Sequence, residues 1–224
     1  MIPLKDENPT NITPYVNYSL IVMNILVYIY QVFITPDPEA FVWQYALVPS
    51  DLLQNFSLAT ASTLFTSMFM HGGFLHLGGN MLYLWIFGDN VEDAMGHGRY
   101  LVFYLLGGLF ASAIHIFTSP GSQIPTLGAS GAIAASLGAY LILYPRSRVL
   151  SVLPLGFFLR LTMVPAIIVL GLWFVLQLFQ GLLTLGGPDV GGVAFWAHTG
   201  GFVAGFVLAK LFSRGGPYQR MTRW

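Results

Sequence analysis

Residues 128–144 read GASGAIAASLGAYLILY, a run from Gly128 to Tyr144 without one charged side chain. A bilayer core takes about 20 mostly apolar residues per helix, so this run is a short span with little room to tilt. Ser130, Ala134 and Gly138 recur every four positions and form a stripe of small residues along it. Such stripes let membrane helices approach closely. The run therefore wants lipid around it and another helix against it.

Five further stretches have the same character: Val16–Ile34, His76–Met95, Tyr100–Thr118, Thr162–Leu183 and Gly192–Phe212. The 224-residue chain is 55% hydrophobic and 8% charged, with a mean hydropathy of +0.69. A soluble domain carries about 25% charged residues, so this surface must largely face lipid. The expected fold is an all-α membrane protein, a bundle of six transmembrane helices. It divides into a short N-terminal segment (1–15), a six-helix core (16–212) with a long loop at about 35–75, and a basic tail (213–224). The first apolar run lacks a small-residue cleavage site and reads as a retained span.

The basic residues set the orientation. Lys5 precedes the first span and Arg99 lies between the second and third. Arg146, Arg148 and Arg160 lie between the fourth and fifth, and Lys210, Arg214, Arg220 and Arg223 end or follow the sixth. All nine thus fall on the side of the N-terminus, which the positive-inside rule assigns to the cytoplasm. Both termini are expected there. The loop 35–75, on the other side, carries short apolar stretches at Phe41–Tyr45 and Leu64–Met70 that suit a partly submerged interfacial element. Val149–Leu159, broken by Pro154 and Gly156, suits the cytoplasmic interface in the same way.

The formal net charge is zero and there are no cysteines. No general attraction to nucleic acid follows, and thiol catalysis, disulfides and cysteine metal sites are excluded. Polar side chains inside spans are costly and therefore functional candidates. Here they are His76, Asn80, Asp89, Glu92, Asp93, His115, Ser130 and His198. Asp89, Glu92 and Asp93 sit at the cytoplasmic end of span two, where Glu92 suits hydrogen bonding between helices. His115 reads as a satisfied core or interfacial residue, and Trp173 and Phe174 as lipid or packing contacts.

His76, Asn80, Ser130 and His198 fall at one outer depth, within about 10 Å of the starts of spans two, four and six. A serine hydroxyl becomes a useful nucleophile when a neighbouring base takes its proton. Gly128-Ala129-Ser130-Gly131 leaves the hydroxyl accessible, and the first turn of a helix offers unpaired N–H groups to a developing oxyanion. His76 and Asn80, at i and i+4, share a face and add side-chain donors. His198 is followed by Gly201 and Gly205, a close-packing pair matching the stripe on span four.

His71, His76 and Asn80 in H-x4-H-x3-N, the GASG at 128–131, and Ala197-His198-x2-Gly201-x3-Gly205 resemble, in order, the three signatures of rhomboid intramembrane serine proteases. The resemblance covers nearly the whole chain. It implies a Ser130–His198 dyad with no acidic third member, and an oxyanion site of His76, Asn80 and the Ser130 backbone N–H. His71, Gly128, Gly131, Gly201 and Gly205 stand as possible supports. The implied substrates are single-span membrane proteins cut near the outer face, with no cofactor and no metal. A multi-pass protein of a bacterial or archaeal inner membrane is expected. The chain departs from the family at two places. Ala134 stands where several bacterial members carry a tyrosine stacked on the histidine, which leaves His198 to be oriented by Trp196 or by another helix. The Trp-Arg pair that many members carry in the first long loop is missing.

Other functions fit less well. There is no H-E-x-x-H for a zinc protease, and Gly88-Asp89 has no matching second aspartate. A transporter would gather its polar residues near the midplane, often within internal repeats. A client-binding relative that had lost activity would lack the serine or the histidine.

Overall fold

The computed structural model describes residues 1–155, 158–185 and 193–214; Gly156, Gly192 and the part of the basic tail from 215 on, with Arg220 and Arg223, lie outside the described residues. The chain opens with strand β1 (Ile2–Asp6) and helix α1 (Tyr15–Ile29), which runs on through a π-turn at Tyr30–Ile34. The long loop that follows is helical: α2 (Pro38–Tyr45), α3 (Pro49–Gln54) and α4 (Leu58–Thr66). Next come α5 (Phe74–Tyr83), a π-turn at Leu84–Gly88, α6 (Asp89–Met95), α7 (His97–Thr118) and α8 (Ser130–Leu143). Strands β2 (Arg148–Leu155) and β3 (Phe158–Pro165) lead into α9 (Ala166–Thr184), and α10 (Phe195–Phe212) follows.

The molecule is mostly helical. Four helical runs are long and apolar enough to cross a membrane: Tyr15–Ile34, His97–Thr118, Ala166–Thr184 and Phe195–Phe212. The other two expected spans are the short α8 and the interrupted run α5–α6.

Helix α8 occupies the centre, with every residue from Gly131 to Tyr140 buried. Glycines explain how two helices close on it. A Cβ on Gly205 of α10 would land on the Ala135 carbonyl oxygen, and one on Gly201 would land on that of Gly131. In return, a Cβ on Gly138 of α8 would strike the Phe202 carbonyl. On the other side, Gly107 of α7 faces the Ala135 methyl. Helices α7, α8 and α10 therefore touch backbone to backbone or through single methyls, where dispersion over the contact replaces the hydrophobic drive that lipid cannot give.

The π-turn in the second run has an identifiable partner. The buried Asn17 of α1 donates from Nδ2 to the Leu84 carbonyl at 3.0 Å and accepts from Tyr100 Oη at 3.0 Å. A Cβ on Gly88 would overlap Asn17, so the glycine makes room for the amide. Glu92, fully buried, accepts from the Val16 N–H at 3.0 Å and the Asn17 N–H at 2.7 Å, and also meets His97. It thus caps the first turn of α1, which has no cap of its own. Glu92→Ala is expected to lower stability by about 2–4 kcal/mol by leaving two buried N–H groups unpaired. Unfolding in mixed detergent checks this; a loss below about 0.5 kcal/mol would remove the capping role.

The sheet corrects the all-α expectation. β2 pairs antiparallel with β3 from Arg148↔Pro165 to Leu155↔Phe158, and with β1 from Ile2↔Val152 to Asp6↔Val149. Val149 and Ser151 are fully buried on one face, whereas Ile2, Leu159, Leu161 and Met163 are exposed. An apolar run with both faces occupied lacks the alternation that marks a strand. Within 149–159, Val149–Leu155 therefore belong to β2 and Phe158 and Leu159 to β3; Thr162–Pro165 also belong to β3, so the fifth helix starts at Ala166. Pro154 lies beyond the register of β1, at the end of β2 where β3 is its partner strand. The end of the bundle holding β1 also gathers Arg148, whose N–H meets Glu7 Oε1 at 2.9 Å, and Arg214, whose Nε meets the Met95 carbonyl at 3.0 Å.

Candidate active site

At the opposite end, a cavity of about 940 Å³ lies between α5, α7, α8 and α10, with His76, Asn80, His115, Ser130, Trp196 and His198 on its walls. Ser130 is the first residue of α8 and His198 lies in the first turn of α10. The backbone contacts at Gly131–Gly201 fix the two helices one turn or less away. As a result His198 Nε2 sits 2.7 Å from Ser130 Oγ. That is a full hydrogen bond between a hydroxyl and an imidazole, and a proton can pass along it.

Gly128 explains how His76 reaches the same place. Its φ of 130° is open to glycine and strained for other residues. A Cβ there would stand 2.9 Å from His76 Nε2 and 3.6 Å from Ser130 Oγ. The missing side chain is thus the space that the imidazole and the hydroxyl share. The Gly72 N–H points at His76 Nδ1 across 3.4 Å, which favours the tautomer with the proton on Nε2, facing the cavity. Asn80, buried one turn further along α5, has an Nδ2 with no hydrogen-bond partner. A buried, unspent amide donor costs stability, and such groups mark functional sites. His76 and Asn80 line the same cavity as Ser130, at the start of α8, where the first-turn N–H groups lack intrahelical partners.

Supports surround this set. His71 is fully buried with its ring edge-on to His76, centroids 5.1 Å apart. Burial first, and the His76 imidazole second, push its pKa down to about 4, so it is neutral. Gln31 of the first π-turn clamps the His71 backbone, donating to its carbonyl at 2.9 Å and accepting from its N–H at 3.3 Å. His115 bonds Thr126 Oγ1 through Nε2 at 2.9 Å on the loop leading to Gly128. Gly131, where a Cβ would meet the Ala111 methyl, keeps α7 close. Among the described residues no group of three or more His, Asp or Glu side chains is placed to hold a metal ion.

Sequence reasoning missed one side chain beside His198, Gln177, and read its neighbour Trp173 only as a lipid or packing contact. Gln177 of α9 brings Oε1 to 2.7 Å from His198 Nδ1. An amide inside the most apolar helix was the available signal. Trp173, one turn earlier, lies over His198 with centroids 5.8 Å apart, and Phe174 stacks on Phe202. Trp196 instead donates its Nε1–H to the Gly181 carbonyl at 3.0 Å, and the side chain at His198 Nδ1 belongs to α9.

Comparison with known proteins supplies the context. The family model described as the Rhomboid domain matches residues 59–215, more than half of the chain. The rhomboid protease GluP of Bacillus subtilis is 34% identical over 146 residues, covering 65% of this chain and 25% of its own. The RHOMBOID-like protein 5 of Arabidopsis thaliana is 34% identical over 145 residues, 65% of this chain and 42% of its own. The mitochondrial rhomboid protein 1 of Saccharomyces cerevisiae is 28% identical over 138 residues, 59% and 38% respectively. The chain thus matches between a quarter and somewhat over two fifths of the length of these relatives.

Proposed function

The chain belongs to the rhomboid family, and from that premise we propose that it is an intramembrane serine endopeptidase acting on transmembrane protein substrates. The observation that carries this reading is the 2.7 Å bond between Ser130 Oγ and His198 Nε2 on the cavity wall. Ser130 attacks the scissile carbonyl while His198 takes its proton. The tetrahedral oxyanion is held by the Ser130 backbone N–H, His76 Nε2–H and Asn80 Nδ2–H. His198 then protonates the leaving amine, and water, activated by the same base, releases the acyl group. The cycle needs no cofactor.

In this reading α5–α6 and α8 complete a six-span core over 16–212, flanked by a cytoplasmic segment 1–15 and a cytoplasmic tail 213–224. The site then lies near the outer face of a bacterial or archaeal cell membrane. The clustering of Arg148 and Arg214 at the end away from the cavity supports this orientation. The exposed Trp43 and Leu58 of the loop helices, and Phe56 between α3 and α4, suit an element resting in the outer interface.

The direct test is covalent capture: a fluorophosphonate should label Ser130 in the purified protein, and only when His198 is present. Labelling elsewhere, or labelling indifferent to His198→Ala, would remove the proposal. For the oxyanion site, Asn80→Ala is expected to lower kcat by about 100-fold while KM stays within about threefold. A change confined to KM would make Asn80 a substrate-binding group instead.

A further inference from the structure

In this family reading the histidine has no acidic partner, and Ala134 removes the aromatic ring expected against it. The Ala134 methyl instead stands 3.3 Å from where a Cβ on Gly201 would be, filling the contact between α8 and α10. His198 therefore gets no support from α8 beyond Ser130 itself. An imidazole held at one nitrogen alone rotates about that bond, and either tautomer satisfies a hydroxyl that both donates and accepts. Only one of them is a base toward Ser130.

We propose that Gln177 is a positioning residue that completes the dyad, its side-chain carbonyl accepting the Nδ1–H of His198. The two bonds, each 2.7 Å, pin the ring at both nitrogens. With Oε1 facing the ring, the proton on that side belongs to Nδ1, and the lone pair on Nε2 is left for the Ser130 proton. Trp173, on the same face of α9 one turn away, covers the ring at 5.8 Å and stops it tipping. An amide does this work in an apolar helix without the desolvation that an ionised carboxylate would suffer. The bond also crosses between helices: α9 must be seated on α10 for His198 to be correctly held. This inference rests on the protease reading for its consequence in turnover, but the hydrogen bond itself can be tested without any substrate.

The test compares wild type, Gln177→Leu, the nearly isosteric Gln177→Met and Gln177→Glu in detergent. A single-span reporter gives kcat and KM, and 15N-histidine NMR at neutral pH reads the His198 tautomer. Gln177→Leu and Gln177→Met should lower kcat by about 10- to 100-fold, by analogy with groups that orient metal-bound histidines, with KM within about twofold. Gln177→Glu, which keeps an acceptor at the same reach, should stay within about tenfold of wild type. In the wild-type spectrum Nδ1 should carry the proton, and in Gln177→Leu the ring should shift toward the Nε2–H tautomer. Wild-type kcat in both Leu and Met variants overturns the proposal. So does a Glu variant as slow as Leu, or a wild-type His198 protonated at Nε2. If the wild type cleaves nothing, the protease reading fails and the NMR result still decides whether Gln177 sets the tautomer.

Discussion

Replacing Ser130 by alanine is expected to abolish cleavage of a single-span reporter, lowering kcat by at least about a thousandfold, and His198→Ala should do the same. The two losses should not add. Nucleophile and base act as one unit, so the double variant should be no slower than either single one. The physical reason lies in the 2.7 Å bond: without the imidazole the hydroxyl keeps its proton, and without the hydroxyl the imidazole has nothing to activate. In the proposed mechanism the donors His76, Asn80 and the α8 terminus would remain, with no alkoxide to form the oxyanion they stabilise. Substrate binding should therefore survive in Ser130→Ala, measured by crosslinking of the reporter in the membrane. Cleavage persisting in either variant sinks the dyad, and loss of binding along with cleavage would point to a structural role for the serine.

Much of this site was legible in the sequence because its parts are local. GASG opens a helix, H-x4-H-x3-N leads into another and puts His76 and Asn80 on it, and His198 with Gly201 and Gly205 stands on a third. Their shared depth follows from helix rise alone. Gln177 was not legible, because its role depends on which face of α9 turns toward α10, and an apolar helix with apolar neighbours gives no periodicity to read. The sheet was missed for a related reason. Val149–Leu153 packs one face on the bundle and carries Leu and Val on the other, so the alternation that identifies strands is erased. The break at Pro154 and Gly156 was visible, but it reads equally well as the end of an interfacial segment. Asn17 and Gln31 were also passed over. They act by bonding carbonyls and N–H groups at a π-turn and a loop, partners that a sequence does not announce.

A large structural effect is also expected from a residue with no chemistry. Gly205→Ala should destabilise the bundle by about 2–4 kcal/mol and abolish cleavage, although position 205 lies two turns, about 10 Å, from His198 along α10. A Cβ there overlaps the Ala135 carbonyl, carbonyl carbon and Cα at once. None of these is a flexible side chain that can swing aside, so the helices must separate or the backbone must bend, and overpacking of this kind costs about 1–3 kcal/mol or more. Separation also lengthens the bond that α8 and α10 share at Ser130 and His198, and reacting groups misplaced by about 1 Å can lose 100-fold in rate. Gly171→Ala on α9 is the control. No atom lies within 4 Å of its Cβ position, so the same added methyl should leave stability within about 1 kcal/mol of wild type and cleavage intact. Thermal unfolding and reporter cleavage on the pair separate a general cost of replacing glycine from the specific cost of this contact. Equal behaviour of the two variants would mean that the closeness of α8 and α10 is not what holds the hydroxyl against the imidazole.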